Sequence, residues 1–171
     1  KGLTELREGV RQDLQNELNQ RTRRNIRNEV VGALLSRAHL NDLPETLVQA
    51  ETKSVVYQIV NENQQRGVPA EVIEQQKDSI YSAANQTAKD RVKADFLFSK
   101  IAQKEGIAVA SQEVISRITA IAQNLKMAPQ AFLKELQKRD GVGEIESQLL
   151  REKVIDFLAE NAKVEDVAPP A

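Results

Sequence analysis

Apolar side chains recur along almost the whole chain three or four residues apart, the spacing that gives an α-helix one greasy stripe. Leu3, Leu6, Val10, Leu14 and Leu18, then Ile26, Val30 and Leu34, predict one long helix from Leu3 to about Ala38. Steps of four overshoot the 3.6-residue turn, so the stripe winds around the helix. Its two ends are therefore expected to pack against different partners, bridged by the apolar-free run Asn19 to Asn25. The helix is expected to stop at Asn41-Asp42-Leu43-Pro44, with Asp42 capping the next and Pro44 in its first turn. A second helix runs to about Gln65, with Leu47, Val48, Val55, Val56, Ile59 and Val60 on one broad face. Arg66-Gly67-Val68-Pro69 reads as a tight reversal.

From about Pro69 to Glu105 the pattern predicts one very long third helix, ended by Gly106. It is rich in large apolar residues at its ends (Val72, Ile73, Ile80 and Tyr81; then Phe96, Leu97, Phe98 and Ile101) and lean between Ser82 and Asp95. Such a helix suggests an arm joined to a body. Ile107-Ala108-Val109 is an extended link, and Ser111 is expected to cap a fourth helix bearing Val114, Ile118, Ile121 and Leu125. Met127-Ala128-Pro129 breaks it; a short fifth helix with Phe132, Leu133 and Leu136 ends near Asp140-Gly141. The sixth, about Gly143 to Asn161, carries Ile145, Leu149, Leu150, Val154, Ile155, Phe157 and Leu158. Residues 165–171 read as a frayed tail, and no run suits a strand. The fold class expected is all-α.

Composition sharpens this outline. Apolar residues make up 40% of the 171, below the ~45–50% usual for a compact globule, with four Phe, two Tyr and no Trp. Charged residues reach 29%. A thin core in an elongated helical body follows. The net charge of −1 lacks the one-sided basic footprint of a nucleic-acid binder. Arg21, Arg23, Arg24 and Arg27 cluster, but no aromatic residues interleave with them, so a solvated face is expected and no direct nucleic-acid contact. No cysteine is present, and no apolar run of about 18 residues could span a membrane. The first residue is Lys rather than Met, so the lack of a signal peptide at this end bears little on compartment.

Catalytic chemistry is not legible. His39, the single histidine, follows a helix end and has no partner spaced for metal binding or base catalysis. There is no phosphate loop, nucleophile elbow or His-Glu-x-x-His motif. The carboxylate pairs Glu144/Glu146 and Glu74/Asp78 lie on polar faces. No catalytic residue, metal or cofactor is expected. What stands out instead is apolar surplus: Val56, Tyr57 and Val60 near Val68, Val72, Ile73 and Tyr81 do not all fit one seam. Wet apolar patches rimmed by polar residues suit the holding of unfolded chains without reading their sequence.

The end of the chain, Leu149-Leu150-Arg151-Glu152-Lys153-Val154-Ile155-Asp156-Phe157-Leu158 through Ala162-Lys163-Val164, resembles the last core helix of the trigger factor family. Leu3-Thr4-Glu5-Leu6-Arg7-Glu8-Gly9-Val10-Arg11 resembles that family's entry into its C-terminal domain. Asp42-Leu43-Pro44, and Gly106-Ile107-Ala108-Val109 followed by Glu113-Val114, resemble its junctions. The resemblance implies a trigger-factor-type C-terminal domain over 1–171: a helical body with two projecting helical-hairpin arms, the first about 44–95 and the second about 111–140. It implies an ATP-independent, bacterial, cytoplasmic chaperone whose arms cradle nascent or unfolded polypeptides. Candidate client contacts are then Val56, Tyr57, Val60, Val68, Ile73 and Tyr81 on one arm, with Ile118, Ile121, Leu125, Met127 and Phe132 on the other. The family's Gly-Phe-Arg-x-Gly-Lys docking loop and its FK506-binding-type isomerase domain have no counterpart in these residues. Ribosome contact and prolyl isomerisation would belong to a domain other than this one. Two alternatives stay open: a periplasmic SurA-type core, which Val109–Val164 also resembles, and a helical adaptor for one folded partner.

Overall fold

A computed structural model describes residues 2–40, 42–139 and 141–165. Every regular element among them is an α-helix: α1 (Leu3–Arg37), α2 (Glu45–Gln65), α3 (Ala70–Gln75), α4 (Lys77–Glu105), α5 (Ser111–Asn124), α6 (Pro129–Lys138) and α7 (Gly141–Asn161). The chain forms two compact units. Leu35–Ala108 makes one, and the chain before and after it makes the other.

The Leu35–Ala108 unit is built on the pairing of α2 with α4. Val48, Thr52 and Val55 form the buried edge of α2, at steps of four and three; Ala84, Ala88 and Val92 answer from α4 at steps of four. Alanines let the two backbones come close, and Ala84 and Ala88 are wholly buried. The stretch of α4 that is lean in large residues is thus the closed seam and not bare surface. A polar pair lies within it. The Thr52 hydroxyl donates to the Val48 carbonyl at 2.7 Å and accepts from Asn85 Nδ2 at 3.4 Å. At the hairpin's tip Gly67 takes φ +78°, a left-handed turn that a side chain would strain. The C-terminal carbonyl of Leu35, orphaned at the end of α1, accepts from Lys93 Nζ at 2.6 Å.

The expected single helix from Pro69 to Glu105 is two. Gln76 (φ −99°, ψ 7°) breaks it, its N–H shared between the Val72 and Ile73 carbonyls at 3.2 Å each. Residues Glu74 to Ser79 carry no apolar side chain, so no packing holds this turn in register, and periodicity cannot see the break. Two caps also differ. Residue Pro44 is the N-cap of α2 and makes no side-chain cap bond; Asp42 lies too far ahead of the helix to reach its first N–H groups. Ser111 is the first helical residue of α5, and the preceding Ala110 N–H donates to the Glu113 carboxylate at 2.7 Å. The expected endpoint at Asp140 and most of the expected tail, 166–171, fall outside the described residues, as does Asn41.

In the other unit α5, α6 and α7 pack on one another. Val114, Ile118 and Ala122 repeat at steps of four on α5, Phe132 and Leu136 on α6, and Ile145 and Leu149 on α7; together they are one core. Val109, Ile121, Met127, Leu133 and Val142 pack around it, half-buried. Charged pairs rim this core. Arg117 grips Glu152 bidentately at 2.5 and 3.1 Å, and Lys153 reaches Glu113 at 2.8 Å. In the same unit Arg27 of α1 pairs with Asp156 of α7.

Candidate functional site

Helix pairing settles which apolar residues are spent on packing. On α2 the buried edge follows Val48, Thr52 and Val55, which turns Leu47 and Ala50 to its side. On α4 Phe96 and Ser99 lie beside the edge in the same way. These residues, with Glu51, Val92 and Asp95, line a hollow of about 470 Å³ along the hairpin. Leu47 is 49% exposed and Phe96 44%. The hollow is therefore a real apolar surface, and its rim is charged: Glu51 pairs with Arg91 at 2.9 Å, and Arg91 also donates to Gln58 at 3.2 Å.

A second hollow, of about 360 Å³, lies nearer the tip, where Val56 and Val60 of α2, Ile73 of α3 and Ile80 and Tyr81 of α4 converge. Lys77, Glu74 and Asp78 stand at its edge. The Lys77–Glu74 pair closes at 2.6 Å, and that hydrogen bond, with the carboxylate's charge, raises the Lys77 pKa above the ordinary lysine value.

The expected client contacts divide accordingly. Val56, Val60, Ile73 and Tyr81 are brought together in the second hollow. Tyr57 is open to solvent at 71%, whereas Val68, at the tip, is half-buried. In the other unit Leu125 is exposed, but Ile121 and Met127 are half-buried against the core. Ile118 and Phe132 have to be corrected. They are 4% and 7% exposed and belong to the core itself, because the i, i+4 edges of α5 and α6 face each other and α7. Neither offers surface to a client in this conformation.

Periodicity places Leu47 on the broad face of α2 and Phe96 at the heavy end of α4; only the path of the seam shows that both stay outside it. Ile115 is exposed for the same reason, one residue off the Val114–Ile118–Ala122 edge. Leu3, Leu6, Val10, Leu14 and Leu18, expected to pack, are all half or more exposed.

Chemistry of other kinds finds little footing. Among the described residues no group of three His, Cys, Asp or Glu side chains could hold a metal ion, and no helix is long and apolar enough to cross a membrane. His39 is exposed just beyond α1, and Glu144 and Glu146 are exposed on α7. Within the arginine cluster, Arg24 and Arg27 line a shallow depression with Glu152, and Arg27 is engaged by Asp156.

The family model described as bacterial trigger factor protein (TF) C-terminus matches residues 2–160. The chain belongs to this family. A trigger factor from Opitutus terrae is 30% identical over 168 residues, which cover 98% of this chain and 38% of the relative. One from Halorhodospira halophila is 28% identical over 96% of this chain and 36% of its own length. The chain thus spans little more than a third of these trigger factors. A solved structure of trigger factor domains from Thermotoga maritima superposes with a TM-score of 0.61, at 17% identity, covering 82% of this chain and 83% of that one. It shares the all-helical fold. The family match decides for trigger factor over the SurA-type core that part of the sequence also resembles. The residues correspond to the C-terminal region of trigger factors, which is not the catalytic part.

Proposed function

We propose that this chain is the client-holding part of an ATP-independent chaperone of the bacterial cytosol, which binds nascent or unfolded polypeptides and limits their aggregation. The hairpin of α2 and α4 would serve as one arm and the α5–α6 segment as the other, clients lying in the cradle that the family resemblance implies. Contact with the ribosome would pass through another part of the protein. One observation carries this proposal most directly. The α2–α4 pairing leaves Leu47, Phe96, Tyr57 and Tyr81 exposed, so four of the hairpin's large apolar groups stay wet. A group left exposed costs solvation that binding can recover, at about 25 cal/mol per Å² of apolar area covered. Nonspecific recovery of that kind suits clients with no common sequence.

The hollow lined by Leu47 and Phe96 is the preferred contact, with the hollow of Val56, Val60, Ile73 and Tyr81 beside it. In the α5–α6 segment Leu125 and the exposed shoulder of Ile121 and Met127 would add to it. The test is light scattering from an unrelated enzyme diluted out of denaturant, without nucleotide. Stoichiometric chain should suppress the signal, and Leu47→Ser with Phe96→Ser should lose several-fold of that suppression at an unchanged melting temperature. Unaltered aggregation in the presence of the unmutated chain would sink the proposal. Tight, saturable binding of one folded protein alone would point to an adaptor instead.

A further inference from the structure

A third hollow of the hairpin, about 550 Å³, differs from the two apolar ones: Gln49 of α2 and Tyr81, Asn85 and Lys89 of α4 line it, together with Leu43 and Val48. Tyr81, Asn85 and Lys89 follow one another at steps of four, so their polar groups form a row with rungs about 6 Å apart. The row is only partly used by the fold. Asn85 Nδ2 donates to Thr52 at 3.4 Å, but Asn85 Oδ1, the Tyr81 hydroxyl and the Lys89 ammonium have no partner among the described residues. Across the hollow Gln49 donates to Glu45 at 3.1 Å and keeps its carbonyl oxygen free. Among the described residues every side-chain nitrogen or oxygen shut away from solvent is bonded, so these unpaired groups are open to water.

Given the client holding proposed above, we infer that this row binds the main chain of an extended client segment. An extended chain advances about 3.3–3.4 Å per residue and presents N–H and C=O together on one edge at every second residue. That repeat of about 6.7 Å meets the row's about 6 Å to within roughly 1.5 Å over three rungs, a slack that the long Lys89 side chain takes up. The chemistry matches as well: Asn85 Oδ1 accepts an N–H, the Lys89 ammonium donates to a C=O, and the Tyr81 hydroxyl does either. A helix, or a strand inside a sheet, has these main-chain groups already paired and gives the row nothing to bond. What is recognised is therefore lack of structure and not a sequence. Tyr81 also lines the hollow of Val56, Val60 and Ile73, so a segment held by its backbone can lay apolar side chains there.

The probe is a short, capped, uncharged peptide of leucine, serine and glycine with a fluorescent label, and its twin carries ester oxygens in place of the central amide N–H groups. Both have the same side chains, so only main-chain bonding differs between them. Fluorescence anisotropy with the full chain should show the ester twin binding about tenfold more weakly, the order expected from one or two lost hydrogen bonds. With Asn85→Ala, which removes the acceptor, that penalty should shrink to about twofold. Asn85 also touches Thr52, so Lys89→Ala, at an exposed position outside the seam, gives a second reading. It should weaken the amide peptide several-fold at an unchanged melting temperature. Equal affinity of the two peptides for the unmutated chain overturns the inference, and so does an ester penalty that survives both substitutions. Client holding is judged separately by light scattering: a chain that suppresses aggregation but binds both peptides alike keeps its holding role and loses this one.

Discussion

The α5–α6–α7 core and the α2–α4 seam bury their apolar residues in different ways. In the α5–α6–α7 unit the large groups go inside: Ile118, Phe132, Leu136, Ile145 and Leu149 fill the space between three helices. In the Leu35–Ala108 unit the buried residues of α2 and α4 are alanines, valines and one threonine, with Phe98 the one large side chain among them, and Leu47, Tyr57, Tyr81 and Phe96 remain exposed. The difference lies in the side chains at the contact. Where alanine lines the seam it offers little volume to fill, and the larger side chains next to it lie on the flanks. A thin seam therefore makes surface, and a thick core consumes it. Apolar composition alone does not distinguish the two cases.

The contrast is sharpest under truncation. Phe132→Ala should cost about 3–5 kcal/mol, the price of a cavity in a three-helix core. Chemical denaturation followed by circular dichroism would read that loss, and client holding by the hairpin should persist under native conditions. A cost under 1 kcal/mol would mean that the core is loose and that Phe132 is available after all. Enlargement probes the other unit. Ala88→Leu should destabilise the hairpin by about 1–3 kcal/mol through overpacking, whereas a leucine at an exposed α4 position such as Ser99 should change stability by no more than about 0.5 kcal/mol. Equal effects at the two positions would show that the seam can open.

The smallest expected effect is electrostatic. The Lys153 ammonium hydrogen-bonds Glu113, and the Ala110 N–H adds a second bond; both hold the Glu113 carboxyl below the ordinary glutamate value. A carboxyl that is harder to protonate when folded leaves the unfolded chain binding more protons in acid. Its contribution is complete above about pH 4.3, the unperturbed value, and is lost as pH falls through the lower folded value. Glu113→Gln should flatten the acid limb of the stability–pH curve slightly, because exposed pairs of this kind contribute little. A pronounced change in that limb would mean the pair is far better shielded than its half-exposed side chains suggest.

Helix number and ends were largely readable in the sequence, since apolar periodicity, Gly67, Gly106 and Pro129 mark them directly. Periodicity also found every stripe. It could not tell which edge of a stripe another helix would cover, because that depends on the distance of approach. Ala84 and Ala88 looked like lean surface and are the most deeply buried residues of α4; Ile118 and Phe132 looked like surplus and are core. The Gln76 break was invisible for a different reason: helix-favouring polar residues continue through it, and the backbone departs where no packing opposes it.

The division of the chain also bears on the order in which it can fold. Leu35–Ala108 is continuous, so its hairpin closes over a short connection at little entropic cost. The other unit is split by that insertion, and its bond between Arg27 and Asp156 joins residues 129 apart in sequence. A chain made from its N-terminus has the whole hairpin in hand before α7 exists. Closing the hairpin first also shortens the effective loop that α1 must bridge to reach α7, so the insertion acts as a scaffold for the contact that encloses it.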